Sequence, residues 1–270
     1  MDYMEILGYF LALLIGFTMG LLGGGGSILS VPVLVYILGI SPVLATAYSL
    51  FIVGVVASVG AVTNFKKGLV DLKTAIVFAV PSFIAVYLTR TFLLPAIPDI
   101  LITTESFVLT KDIALMIFFA IIMFAASISM IRKKSVPSLK KFREQKFNYP
   151  MILLDGFFVG TLTGIVGAGG GFLIIPALVL LARLPMKLAV GTSLTIIAIK
   201  SLIGFLGDIQ TGQVIDWNFL LFFTLLAVGG IFIGGYVSNY IPGKKLKSGF
   251  GWFVLFMSIF ILVKELLFNQ

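Results

Sequence analysis

The chain has 270 residues, 60% of them apolar and only 11% charged, with a mean hydropathy of +1.17. Soluble domains run near about 45–50% apolar and about 25% charged, so this balance predicts an integral membrane protein and excludes a separate soluble domain. The net charge of +8 does not point to nucleic acid, because seven of the 19 basic residues fall between Arg132 and Lys146 in one connecting segment, the pattern of a cytoplasmic loop facing anionic lipid.

Apolar runs recur with charges confined to short gaps, so helices rather than the alternating strands of a membrane barrel are expected. In chain order they fall near 5–22, 27–38, 43–63, 72–93 and 111–131, then 151–167, 171–182, 187–207, 217–240 and 248–267. Asp2 and Glu5 precede the first run without any Lys or Arg, which argues against a secretory signal peptide. That run ends in "GLLGGGGSILSVP", Gly20 to Pro32. Each glycine costs a helix roughly 1 kcal/mol relative to alanine, so Gly23 to Gly26 should break it. The second run, about 12 residues at 1.5 Å each, reaches about 18 Å against a hydrocarbon layer of ~30 Å, and cannot span alone. The first two runs therefore read as a hairpin whose tip lies within the membrane.

A second stretch, "GIVGAGGGFLIIP" from Gly164 to Pro176, repeats the first at the offset of 144 residues that separates Pro32 from Pro176. At the same offset Gly16 meets Gly160, Ser49 meets Ser193, Gly60 meets Gly204 and Gly68 meets Gly212. The chain reads as a duplicated unit of five apolar segments. Basic residues mark the cytoplasmic side, and their bias reverses between the units. Lys66, Lys67 and Lys73 follow the third segment of the first unit, whereas the matching "DIQTGQVID" has none; Arg183 and Lys187 precede the third segment of the second unit, where "GISP" is uncharged. The expected fold is an all-α integral membrane protein of two inverted-topology repeats, each starting with a glycine-broken helical hairpin. The first repeat covers 1–131, a basic cytoplasmic linker 132–149 and the second repeat 150–270, with both termini on the outer side of the cytoplasmic membrane.

Inverted units with matching breaks point to a secondary transporter. Bare backbone at membrane depth must be buried in protein or line a wet cavity. Gly25, Gly26 and Ser27, with Gly169, Gly170 and Gly171, are expected to open the short second helices, where free N–H groups and the positive dipole end favour an anion. The plainer alternative is that these glycines only allow close helix packing, as Gly16/Gly20 and Gly160/Gly164 do. Ser193, Lys200 and Gly204 fall within about 20° of one helix face, with Thr192 beside them. Lys200 lies well inside a span, so an anion in transit, a snorkelled position at the outer interface and a pairing with Asp208 are its candidate settings. Ser49, Ser193 and Tyr48 carry hydroxyls for the solute, or for their own helix carbonyls. Arg90 and Lys264 read as anchors at segment ends, and Trp217 and Tyr240 as aromatic belt.

The duplicated glycine break before proline, "AVGTSLTI" at Ala189 to Ile196 and "GQVIDW" at Gly212 to Trp217 resemble the TauE/SafE sulfite exporter family, also called toluene sulfonate uptake permeases. The resemblance covers nearly the whole chain. It implies carriage of a small organosulfur or sulfur oxyanion, of the sulfite, sulfonate or sulfoacetate class, across the cytoplasmic (inner) membrane, and it gives Lys200 no role. A passive anion channel or a carrier of another solute remains the alternative. Without cysteine or histidine there is no disulfide, thiolate metal site or imidazole shuttle. HExxH and GxSG motifs are also missing, so no enzyme, metal or cofactor is expected.

Overall fold

The computed structural model describes residues 3–104, 107–131, 149–166, 171–182, 184–210 and 214–267. Helices form at all ten expected places. In the first half they are α1 (Tyr3–Leu22), α2 (Gly26–Ile37), α3 (Pro42–Lys66), α4 (Leu72–Ala96) and α5 (Lys111–Ile131). In the second they are α6 (Tyr149–Val166), α7 (Gly171–Pro176), α8 (Met186–Gln210), α9 (Trp217–Ser238) and α10 (Gly243–Leu267). Among the described residues five helices are long and apolar enough to cross a membrane, namely α3, α4, α5, α8 and α9. The basic linker expected at 132–149 lies outside the described residues up to Tyr149, which opens α6.

One element departs from the all-α expectation. Ile100–Thr104 (β1) and Phe107–Thr110 (β2) pair antiparallel, with Ile102 opposite Leu109 and Thr103 opposite Val108. The segment joining α4 to α5 is dense in β-branched residues, whose side chains suit a pleated surface better than a helix.

Proline and aspartate shape the helix ends. Asp71 accepts the N–H of Thr74 at 3.2 Å and caps α4, as Asp216 accepts that of Phe219 at 3.1 Å and caps α9. Pro32 and Pro176 each precede a π-turn, Val33–Ile37 and Ala177–Leu181. Proline lacks an N–H and crowds the carbonyl four residues back, so the ladder widens there. A third π-turn, Thr89–Leu93, interrupts α4 just before Pro95.

The packing is reciprocal. Helix α1 lies along α9, with Gly16 on Ala227 and Gly20 on Ile231, so closely that a Cβ would overlap backbone atoms. Helix α4 lies along α6 in the same manner, with Gly160 on Ser82 and Gly164 on Val86. Both pairs run parallel, and small residues let the backbones touch. These contacts match one another when α4 is shifted by the 145 residues between the caps Asp71 and Asp216, one more than the 144 of the earlier segments. Helices α3 and α8 form the core and run antiparallel, since Gly60 meets Leu194 while Gly204 meets Leu50. Helix α5 packs on α10.

Candidate functional site

The first helix does break at the four glycines. Gly23 has φ of +69°, which an L side chain adopts only with strain, and Gly23–Leu29 continues as a 3₁₀ helix into α2. Gly24 lies directly on Gly171 at the start of α7, and it also meets Ile197, mid-way along α8. The two glycine-rich tips therefore cross at the middle of the central helix pair.

Around this crossing the polar groups form a short network. The Gly24 N–H points to Ser193 Oγ at 3.5 Å, and Ser193 Oγ donates to the Val190 carbonyl at 2.8 Å. Ser27 Oγ donates to the Gly24 carbonyl at 2.7 Å, and Ser30 Oγ to the Ser27 carbonyl at 2.6 Å. With its proton so used, Ser30 accepts from Ser49 Oγ of α3 at 2.6 Å. All these serines are buried. Gly25 and Gly26 sit inside the 3₁₀ turn, and Gly26 packs against Thr18 and Met19 of α1, so close packing is one of its uses. Gly169 and Gly170 lie outside the described residues.

Other expected residues sit further away. Thr192 Oγ1 accepts the Asp71 N–H at 2.9 Å, tying α8 to the start of α4. Tyr48 Oη accepts the Asp216 N–H at 2.7 Å and stacks on Phe219, so its role is at a loop. Lys200 is 1% exposed, and its Nζ donates to Thr163 Oγ1 of α6 at 2.9 Å. That placement removes the snorkelled position, and the ion pair of Asp208 goes to another residue. Trp217 packs on Phe51 and Phe205 and stays half exposed, as a belt residue does, and Tyr240 is exposed. Lys264 stands over the Tyr36 ring at 3.9 Å, near the end of α10.

Arg90 corrects the reading of an interface anchor. It is 1% exposed, its Nη1 lies 3.4 Å from Asp208 Oδ1 and donates to Thr46 Oγ1 at 3.0 Å. The signal in sequence was an intramembrane pair of opposite charges, missed because the segment end was placed at 93 whereas α4 continues through its π-turn to Ala96. Within α4, then, Arg90 sits well short of the end.

At the other end of the central pair, where α3 finishes and α8 begins, lies a cavity of about 220 Å³. Its lining includes Asn64, Lys67, Lys187, Gly235, Tyr236 and Asn239, and it reaches inward to Val190, which touches Gly23. Two lysines at its mouth give it a positive potential that draws anions.

Five helices long and apolar enough to cross a membrane, with charges buried among them, are those of a multi-pass membrane protein. The sequence profile described as sulfite exporter TauE/SafE matches residues 9–261, and the chain belongs to that family. It is 27% identical over 253 residues to a protein of Xylella fastidiosa (strain Temecula1) described as "Probable membrane transporter protein", covering 92% of this chain and 91% of that one. A "Probable membrane transporter protein YunE" of Bacillus subtilis is 27% identical over 243 residues, 83% of this chain and 84% of its own. MJ0441 of Methanocaldococcus jannaschii, also described as a probable membrane transporter, is 33% identical over 118 residues, 42% of this chain and 44% of its own. No solved structure matches.

Proposed function

We propose that this transporter carries a small sulfur oxyanion or organosulfonate across the cytoplasmic membrane, bound where its two glycine tips cross. The observation that carries the reading is the contact of Gly24 with Gly171 at mid-length of α8. Tips that meet there bring backbone N–H groups and helix ends to the depth at which a carried solute is held. Ser193, Ser27 and Ser49 supply hydroxyls within the same network, and Lys200 supplies an N–H donor further along α8.

The two halves act as inverted units, with the termini and the Arg90 end outside and the Lys67 and Lys187 end inside. The antiparallel course of α3 and α8 and the reversed loop charges support this orientation. The cavity at the Lys67 end, set against the Arg90–Asp208 pair that fills the matching place at the other end, favours alternating access over a passive pore.

The test is thermal unfolding of the purified protein with sulfite, sulfoacetate, taurine and sulfate. At least one of the anions should raise the Tm by several degrees, as ligand at 100-fold its Kd adds about 2.7 kcal/mol of stability. Stabilisation by a cation or sugar and by none of these compounds would contradict the reading.

A further inference from the structure

The cavity near Lys67 has a counterpart at the opposite end of the central helix pair, and the counterpart is filled. Under the offsets that match the helix contacts, Asn64 corresponds to Asp208, Val190 to Thr46, Gly60 to Gly204 and Gly235 to Arg90. The first member of each pair lines the cavity. Two of the second members hold Arg90, Asp208 by ion pair and Thr46 by hydrogen bond, while Gly204 lies on Val86 and Leu50 and Gly207, one turn on, lies against the Arg90 Cβ. A Cβ at Gly235 would meet nothing within 4 Å, whereas the guanidinium of Arg90 occupies the equivalent space. Outside it, the Tyr87 hydroxyl donates to Gln210 Oε1 at 2.6 Å and closes the mouth.

The guanidinium is not fully used. Among the described residues its Nε and Nη2 find no hydrogen-bond partner although both are buried, and the neighbouring Thr91 Oγ1 finds none either. An arginine fork of this kind matches the two oxygens of a carboxylate, sulfonate or phosphate. Here both contacts, to Asp208 at 3.4 Å and to Thr46 at 3.0 Å, fall on Nη1, which leaves the fork unused. The π-turn Thr89–Leu93 that carries Arg90 is a local widening of the sort found at functional sites.

We propose that the outer half of the pathway holds its own oxyanion site, with Arg90 as the receptor, and that Asp208 occupies this receptor while the outer end is closed. An arriving sulfonate or sulfur oxyanion takes the place of the Asp208 carboxylate on the guanidinium, and α4 then separates from α8 to admit it. The proposal rests on the anion reading above and adds a second place of binding.

The experiment measures sulfoacetate affinity from thermal unfolding of the purified full-length protein, with chloride as the ionic-strength control. Asp208→Asn removes the competing carboxylate, so sulfoacetate should bind at least tenfold more tightly than to the unsubstituted protein. Adding Arg90→Met to Asp208→Asn should abolish that gain. No gain in Asp208→Asn, or a gain that survives Arg90→Met, overturns the proposal. Should Asp208→Asn yield no folded protein, Thr91→Cys in the naturally cysteine-free chain gives a second readout. Sulfoacetate should slow its reaction with a thiol reagent at least threefold, and unchanged rates overturn the proposal. A response in the unsubstituted protein without these Arg90 effects removes the outer site alone, whereas no response to any anion removes both sites.

Discussion

The two ends of the α3–α8 pair are built from matching positions and reach opposite states. One end has Gly235 and Asn64 around an open cavity; the other has Arg90 and Asp208 in the same places, paired and buried. Removing a side chain opens a path, and adding a charged one with its partner closes it. What differs is the energy holding each end. An ion pair in low dielectric resists opening, while the cavity with Lys67 and Lys187 in its lining has no such pair across it among the described residues.

The strongest way to break the comparison is Arg90→Met. It removes one partner of the buried Arg90–Asp208 pair, and losing one partner of a buried pair costs about 3–5 kcal/mol. Thermal unfolding should show a large fall in Tm, partly recovered when Asp208→Asn is added, because the buried carboxylate that lost the guanidinium is then neutral. No recovery would mean that the pair is not the source of the stability.

Next in size is Gly171→Val. A Cβ there overlaps the Gly24 carbonyl, and overpacking of a close-packed site costs about 1–3 kcal/mol. Transport in vesicles should drop at least tenfold even in the fraction that folds. Normal flux would remove the tip crossing from the pathway.

The comparison is sharpened by copying one end into the other. Gly235→Arg places the arginine in open space, so folding should change by less than about 1 kcal/mol, the size of glycine's helix penalty. Transport should slow several-fold, and more when Asn64→Asp supplies a partner, because both ends are then held. Unchanged flux in the double variant would show that the cavity lies off the route.

How much of this was legible in the sequence follows from what each feature depends on. All ten helices were readable, because run length and glycine content act locally and the lipid imposes a minimum length on each span. The tip contact between Gly24 and Gly171 was foreseeable from the short second segments and their offset of 144. The β1–β2 hairpin was not, since its signal is a few β-branched residues in a gap read only for charge. Arg90 was misplaced for two reasons. The π-turn and Pro95 disguise a helix that continues to Ala96, and the one-residue insertion before Asp216 shifts the repeat so that Arg90 does not visibly face Gly235. Lys200 reads from the sequence as lying inside an apolar span and is buried in α8, yet its bond to Thr163 depends on α6 packing, which no spacing rule reveals.

The smallest effect expected is that of Ser193→Ala. It removes the acceptor of a 3.5 Å bond from the Gly24 N–H, a contact worth about 1 kcal/mol at most, so anion affinity should change by no more than about fivefold. The direction separates two roles. Weaker binding means that the hydroxyl serves the solute; tighter binding means that it competes for the N–H.

The inverted arrangement with one closed end is tested most directly by the sidedness of single cysteines placed in this cysteine-free chain. Tyr236→Cys, at the cavity, and Thr91→Cys, beside Arg90, are each exposed to a membrane-impermeant thiol reagent in right-side-out and inside-out vesicles. The account predicts rapid labelling of Tyr236→Cys from the cytoplasmic face only, and slow labelling of Thr91→Cys from the outer face only, accelerated by Asp208→Asn. Labelling of both positions from the same face would contradict it.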